Sequence, residues 1–148
     1  MTRSECISKL KEKFKISELV CNEVYARFGE GAWRFLDDKI LQVLYILRFE
    51  IFNAPITINN GKNFTQRGLR CNRCQLVKSK STPYLSAHVL GKAFDMDIKG
   101  YTAEQARQKI KSNIARFPFP IRMENKVSWV HIDVIDMDNG AKLTMFNG

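Results

Sequence analysis

Histidine is scarce in this sequence, acidic residues are outnumbered by basic ones, and long apolar runs are missing. A membrane-spanning helix needs about 20 successive apolar residues, and no stretch reaches that length. The segment 1–6 has no apolar core of the kind that defines a secretory signal. We therefore expect a soluble protein that is cytoplasmic as synthesised and has no membrane span. It would reach any target outside the cell after release, or through another export route.

Cysteine is also infrequent, with four residues at irregular spacing, which excludes the disulfide framework of a small secreted domain. Cys71 and Cys74 form a single CxxC pair. A structural zinc knuckle would need two further ligands, but Cys6 and Cys21 lie in predicted amphipathic helices. We interpret Cys71 and Cys74 as packed or partly exposed thiols in a loop, with a zinc knuckle or a redox pair as alternatives.

The charge balance indicates an acidic partner. The chain carries 24 Lys and Arg against 15 Asp and Glu, a formal net charge of +9. Nucleic acid, an anionic membrane surface and an anionic wall polymer all satisfy that requirement. No basic segment contains the interleaved aromatic residues of a base-stacking surface, so we do not expect a nucleic-acid partner. The 148 residues are enough for one domain with its own core.

Amphipathic patterns fill the first part of the chain, residues 1–54. They predict helices over 2–14, 17–28 and 33–52, the first with a capping box formed by Thr2 and Glu5. Pro55 ends this helical part, because proline cannot continue a helix.

The remaining residues, 55–148, alternate between strands and loops. The patterns predict a short strand at 56–58, a helix at 102–114, and strands at 93–98, 120–124, 127–135 and 142–146. A polar loop spans 59–82, and so long a connection in a compact domain is usually functional. The predicted fold class is α+β, with N-terminal helices packed on a small antiparallel sheet in a single domain over 1–148.

Two of the predicted strands bear polar residues on one face. In 93–98, apolar residues alternate with acidic ones, and Asp95 lies opposite the apolar face. In 129–134, His131 and Asp133 lie opposite an aliphatic face. If the two strands pair in one sheet, Asp95 and His131 converge on its open face.

His88 must join this pair from outside the strand. The seven residues from His88 to Asp95 would span roughly 10 Å as one helix, too far for a shared ion, and Gly91 allows a turn instead. Two imidazoles and one carboxylate suit Zn²⁺ at about 2.0 to 2.2 Å and leave a fourth position to water. Such a site favours hydrolysis of an amide. The alternative is that the acids are merely solvated on an edge strand.

The residues around these positions form two motifs. The segment 86–95, SAHVLGKAFD, resembles the SxHxxGxAxD signature of the LAS-type zinc metallopeptidases, and 128–133, SWVHID, resembles their WxHxD signature. That group includes D-alanyl-D-alanine carboxypeptidases, phage endolysin peptidases and the hedgehog signalling domain. The resemblance implies the hedgehog-like fold, zinc held by His88, Asp95 and His131, and hydrolysis of peptide bonds in peptidoglycan. The chain looks most similar to compact members encoded by phages and bacteria.

The general base departs from the family pattern. Many members have an acid three residues before the last zinc histidine, where this chain has Ser128. We predict Glu124 instead, because a two-residue turn at 125–126 would bring it onto the face of His131, and the hedgehog domain similarly has an upstream glutamate. Asp133 is the second candidate, or it orients a metal ligand.

The resemblance also implies a set of substrate-binding residues. Arg70 lies where the family often has an arginine that holds a substrate carbonyl or carboxylate, and Arg67 is an alternative. Ser86, from the first signature, and Trp129, as a wall of the cleft, complete the set. The arginines could instead belong to a solvated basic loop, and Trp129 could simply be packed.

These observations predict a zinc-dependent peptidase that acts on peptidoglycan peptides as a lysis enzyme of a phage or prophage. The main alternative is a noncatalytic, zinc-containing domain of the same fold that binds a peptide or the cell wall, which the serine at position 128 would permit. A nucleic-acid-binding module is a third alternative, and it depends on charge alone. The sequence predicts no particular oligomeric state.

Overall fold

Short helical segments make up the first third of the chain. The computed structural model describes residues 1–148, in which α1 spans Arg3–Leu10, α2 spans Asn22–Phe28 and α3 spans Asp38–Tyr45. Turns of 3-10 helix at Ile16–Glu18 and Gly29–Phe35 precede α2 and α3, and a π-helical segment, Ile46–Ile51, continues α3. The predicted helices over 17–28 and 33–52 are therefore each divided.

Local hydrogen bonds explain where these helices begin. Thr2 and Glu5 form the predicted capping box, with Glu5 N donating to Thr2 Oγ1 at 3.1 Å and Thr2 N donating to Glu5 Oε2 at 2.7 Å. Asp37 Oδ1 accepts from Lys39 N at 2.8 Å, so this cap starts α3 at Asp38 instead of at residue 33. The helix predicted over 17–28 breaks because Val20 is extended and forms a parallel β-bridge with Leu69.

The second part of the chain forms a five-stranded sheet in the order β1-β2-β4-β3-β5. Its strands are β1 (Ile56–Thr57), β2 (Ala93–Ile98), β3 (Ile121–Glu124), β4 (Val130–Asp133) and β5 (Leu143–Phe146). The first three pairings are antiparallel, but β3 and β5 are parallel. The sheet is therefore mixed, and the prediction of an antiparallel sheet is wrong for this pair. β4 runs antiparallel to β3. After β4 the chain reverses direction and passes to the far side of β3, so β5 runs in the same direction as β3.

The core lies between the sheet and the helices. The inward side chains of β2 and β4, such as Phe94, Met96 and Ile132, are completely buried in one cluster with residues of α1 and α3. Helix α5 (Ala103–Ser112), capped by Thr102, packs on β2 and β4. The opposite face of these strands carries polar residues, among them Asp95 and His131. None of the helices is both long enough and apolar enough to cross a membrane.

The predicted long loop over 59–82 contains one short helix, α4 (Gln75–Lys78). The loop is attached to the helical part by backbone contacts: Cys21 N donates to Leu69 O at 2.9 Å, and Leu69 N donates to Leu19 O at 3.0 Å. The Asn59 side chain adds a bond from Nδ2 to Val20 O at 2.9 Å. These contacts hold residues 68–74 beside the open face of the sheet.

Candidate metal centre

Asp95 and His131 are direct cross-strand partners. The antiparallel register of β2 and β4 pairs them, so both side chains project from the open face, as the alternation in the sequence predicts. His131 Nδ1 lies 2.7 Å from Asp95 Oδ1. Both residues are only 7% exposed, so the pair is shielded from bulk water although it lies at the end of a cleft.

His88 approaches Asp95 from a tight turn, as expected. The turn is closed by Leu90 N donating to Ser86 O at 3.2 Å and by Val89 N donating to Ser86 Oγ at 3.3 Å. Gly91 has φ +70°, and a Cβ there would lie 2.2 Å from Phe35 O, so no other residue fits this position without strain. The turn directs His88 Nε2 to within 3.2 Å of Asp95 Oδ2.

The second nitrogen of His88 is fixed by a backbone carbonyl. His88 Nδ1 lies 2.9 Å from Gly68 O, which can only accept, so Nδ1 carries a proton and Nε2 is the nitrogen that remains for Asp95 or for a metal ion. Gly68 was missed by sequence reasoning. A Cβ on this residue would lie 2.0 Å from Leu19 O, so glycine is required for the carbonyl to come this close. No local pattern indicates this contact, because it joins two residues that are 20 positions apart in the sequence.

The second nitrogen of His131 is fixed by a carboxylate. His131 Nε2 lies 2.8 Å from Asp133 Oδ2, and Asp133 is fully buried. Asp133 also accepts from Arg122, from Nε to Oδ1 at 2.8 Å and from Nη2 to Oδ2 at 3.0 Å. Arg122 was not among the predicted site residues. The signal for it was alternation, since it lies two residues before Glu124 on the same strand and therefore on the same face.

These three side chains fit a metal ion. One nitrogen from each histidine and a carboxylate oxygen of Asp95 lie within 4.8 Å of one another. Two imidazoles and a carboxylate are a common donor set for zinc. In both histidines the nitrogen that faces away from Asp95 is hydrogen-bonded, which is the usual way in which ligand histidines are oriented. The structure thus supports a metal site at the predicted residues.

The same contacts set the charges of the metal-free site. Burial raises the pKa of Asp95, but hydrogen bonds from His131 and His88 outweigh it and hold that pKa well below its usual range. Burial lowers the pKa of His131, but the hydrogen bonds to Asp133 and Asp95 prevail and raise the pKa to about 9. For Asp133, burial is likewise outweighed by His131 and Arg122, so its pKa is lowered. Without metal, the site is a protonated imidazole between two carboxylates.

A cleft of about 550 Å³ opens at this site. All predicted site residues line it: the three ligands together with Arg70, Ser86, Glu124, Trp129 and Asp133. Ser86 also caps the turn that carries His88, which gives it a positioning role.

The structure distinguishes Arg70 from Arg67. Arg70 Nη2 lies 3.5 Å from Asp95 Oδ2, and its Nε donates to Gln66 O at 2.6 Å, so the guanidinium is held at the cleft. Arg67 instead pairs with Asp97 at 2.8 Å and stacks on Phe64. Arg70 is therefore the arginine available to a ligand in the cleft.

Glu124 reaches the open face by a different route from the one predicted. The β3–β4 register pairs Arg122 with Asp133, and continued by two residues it sets Glu124 opposite His131. The predicted two-residue turn at 125–126 is wrong, because the connection extends over 125–129, with Lys126 at φ +61°. The expected consequence still holds, since cross-strand partners share a face. A Cβ added at Gly148 would lie 2.0 Å from Glu124 Oε1, so this carboxylate packs on the Gly148 backbone.

Trp129 and Ser128 end the same connection. Trp129 is partly buried, and its indole Nε1 is buried without a hydrogen-bond partner. Trp129 O accepts from Arg107 Nη1 at 3.0 Å, which holds the residue at the rim of the cleft. Ser128 is exposed.

A second group of metal-binding side chains lies outside the cleft. The CxxC pair is not alone, because Cys21 and Glu23 lie beside Cys71 and Cys74, and all four could hold one ion. The argument that Cys21 lies within a helix and so supplies no further ligand is wrong, because Cys21 directly precedes α2 and lies beside the pair. The bridge between Val20 and Leu69 brings the two segments together.

Comparison of the chain with protein-family models, with curated proteins and with solved structures gives no match.

Proposed function

We propose that this protein is a zinc-dependent peptidase that hydrolyses amide bonds in peptidoglycan peptides, as a lysis enzyme of a phage or prophage. The observation that carries the proposal is the convergence of His88 Nε2, His131 Nδ1 and the Asp95 carboxylate at the wall of an open cleft. These three residues would hold zinc. Bound zinc supplies a Lewis acid for the scissile carbonyl.

The other cleft residues have separate tasks in this proposal. Glu124, on the face of His131, takes the proton of the attacking water and returns it to the leaving amine. Arg70 offers guanidinium N–H groups to a carbonyl or carboxylate of the substrate. Trp129 forms a wall of the cleft, and its indole Nε1 is a donor without a hydrogen-bond partner in the protein.

Asp133 acts through His131 in this scheme. It accepts a hydrogen bond from His131 Nε2 and two from Arg122, so its oxygens are already occupied. A carboxylate in this state, with a lowered pKa, is a poor proton acceptor. Its contribution is to fix the ring of His131 with Nδ1 toward Asp95. Glu124 is therefore the better candidate for the general base.

The substrate class follows from the motifs and from charge. The two signature-like segments form the metal centre and resemble those of peptidases that cut wall peptides. The net charge of +9 favours adsorption to an anionic wall polymer.

A noncatalytic domain that binds wall peptides is the second candidate. Two observations favour it. An exposed serine occupies position 128, where many LAS-type metallopeptidases have an acid. The Glu124 carboxylate packs on the Gly148 backbone.

Digestion of purified peptidoglycan by the zinc-loaded protein tests the proposal. Mass spectrometry of the products should identify new peptide termini, which name the bond that is cut. His131→Ala, treated in the same way, should release none. If the wild-type protein binds zinc and muropeptides but cuts no peptide bond, its function is that of a noncatalytic binding domain.

A further inference from the structure

Three cysteines and one glutamate from two distant segments meet beside α2. Cys21 and Glu23 come from the start of α2, and Cys71 and Cys74 come from the long loop. Backbone hydrogen bonds between the segments, including Cys21 N to Leu69 O at 2.9 Å, hold them together. Cys21 and Cys74 are at most 2% exposed, and Cys71 is partly buried. The cluster is therefore part of the fold and not a chance meeting of surface side chains.

The distances within the cluster suit one tetrahedral ion. One ligand atom from each of the four residues lies within 4.8 Å of the other three. Sulfurs on a tetrahedral zinc, at about 2.3 Å from the metal, lie about 3.8 Å from one another. A sulfur and a carboxylate oxygen on the same tetrahedral zinc would be about 3.6 Å apart, and Cys74 Sγ is 3.9 Å from Glu23 Oε2.

The CxxC turn offers a backbone donor to one of its own sulfurs. Arg73 N donates to Cys71 Sγ at 3.4 Å, so a backbone N–H points at the sulfur, where it would stabilise a thiolate. Cys21 and Cys74 precede α2 and α4, but neither side chain caps its helix.

We propose that Cys21, Cys71, Cys74 and Glu23 form a second, structural zinc site. The four side chains complete the coordination of zinc and leave no position for water, which is the pattern of structural sites. Thiolates select zinc over magnesium or calcium. A disulfide would use two sulfurs and leave the third sulfur and the carboxylate without a role. The segment 67–80 carries five basic residues and no acidic one, so the negative charge of such a site would be balanced locally.

The position of this site suggests what it stabilises. Cys71 follows Arg70 directly, and Gly68 provides the carbonyl that orients His88. An ion held between α2 and the CxxC turn would fix this segment to the helical part of the protein. Since metal binding free energy contributes to folding, its loss would loosen one wall of the cleft. The proposal does not depend on the peptidase function, because it involves none of the residues of the first centre.

Cobalt provides the test, because a thiolate bound to Co²⁺ gives a charge-transfer absorption that nitrogen and oxygen ligands do not give. We expect the reduced, chelator-treated full chain to develop this band on titration with Co²⁺. His88→Ala, which damages the first centre, should keep the band. Cys71→Ser and Cys74→Ser should lose it together with one equivalent of metal. Cys6→Ser is the matched control, a buried cysteine in α1 outside the cluster, and should keep it.

Two results would overturn the proposal. One is a wild-type protein that binds Co²⁺ without any thiolate band. The other is a band that persists in both Cys71→Ser and Cys74→Ser. If a serine variant does not fold, the titrations of the wild-type protein and of His88→Ala still test the proposal. A thiolate band in His88→Ala can arise only from cysteine ligands. Hydrogen exchange gives a second readout, in which chelation of the wild-type protein should increase amide exchange in residues 69–78.

Discussion

His131 lies opposite Asp95 across β4 and β2, and its two ring nitrogens contact two different carboxylates. Nδ1 is 2.7 Å from Asp95 Oδ1, and Nε2 is 2.8 Å from Asp133 Oδ2. The ring is thus held from both sides before any metal binds. A metal ion held by Asp95 and His131 would leave the contact between His131 Nε2 and Asp133 intact. Asp133 therefore orients His131 toward Asp95, within a group that together with His88 could hold a metal ion.

Alanine substitution of a ligand should remove one equivalent of zinc. We expect His88→Ala, Asp95→Ala and His131→Ala each to contain one zinc fewer per chain than the wild-type protein, because two ligands do not hold zinc against dialysis. Asp97→Ala is the matched control, since this acid on the same strand pairs with Arg67 and should keep full zinc content. Metal analysis by mass spectrometry after dialysis measures the difference. Undiminished zinc in all three variants would refute the assignment of the site.

Loss of the Asp133 charge should weaken zinc binding without abolishing it. In Asp133→Asn the ring of His131 loses its charged partner, and Arg122 loses its bidentate acceptor. Changes to such orienting groups typically cost about 10- to 100-fold in metal affinity. Competition with a chromophoric chelator measures the affinity, and Asp138→Asn, an exposed acid, is the control. An affinity equal to that of the wild-type protein would mean that the β-sheet alone orients His131.

The metal-free protein should lose stability at alkaline pH. The pKa of His131 is raised from 6.5 to about 9, so its stabilising contribution is complete below about pH 6.5 and is lost as the pH rises through about 9. Asp95 and Asp133 have lowered pKa values, so their contributions are present above about pH 4 and are lost on acidification. Urea unfolding of chelator-treated protein should therefore show a lower midpoint at about pH 9 than at about pH 6. His131→Gln should reduce this difference, and an equal difference in the variant would assign it to other groups.

Features that depend on local sequence could be predicted. The capping boxes at Thr2 and Thr102 involve residues three apart, and both are observed. The alternation around Asp95 and His131 fixed the face on which each side chain projects. The turn at Gly91 followed from the distance between His88 and Asp95. In each case a few neighbouring residues determine the local backbone geometry, so the sequence pattern predicts it correctly.

Features that depend on distant segments could not be predicted. The parallel pairing of β5 with β3 is decided by the path of the chain over 134–142, which has no simple pattern. The register of β3 and β4 depends on the connection 125–129, where Lys126 adopts a left-handed conformation that its side chain does not signal. Cys21 meets Cys71 only because Val20 pairs with Leu69.

Binding to cell walls should depend on salt. A domain of net charge +9 is attracted to an anionic polymer mainly by exposed lysines and arginines, and such attraction is screened over about 10 Å at 0.1 M salt. We expect the fraction of protein that sediments with purified walls to fall as the salt concentration increases. A variant with exposed lysines changed to glutamate, such as Lys13→Glu with Lys99→Glu, should bind less at low salt. Sedimentation that is independent of salt would show that charge does not drive binding.

The final prediction concerns the acid that moves the proton. In the proposed function, His88, Asp95 and His131 would bind the zinc, but turnover would also need a group that accepts a proton from water and returns it to the amine. Asp133 is held by Arg122 and His131, whereas Glu124 lines the cleft at the end of β3. The Glu124 carboxylate packs on the Gly148 backbone.

Glu124→Gln preserves the size of the side chain and removes its basicity. We expect the variant to keep its zinc and its unfolding midpoint while the rate of peptide release falls about 10²- to 10⁴-fold. Glu12→Gln, an exposed glutamate at the end of α1, is the control and should retain the full rate. Release rates from labelled peptidoglycan, with metal content measured on the same samples, separate loss of catalysis from loss of the ion. A full rate in Glu124→Gln would show that another group accepts the proton. A rate that falls only in proportion to zinc content would show that Glu124 has a structural role.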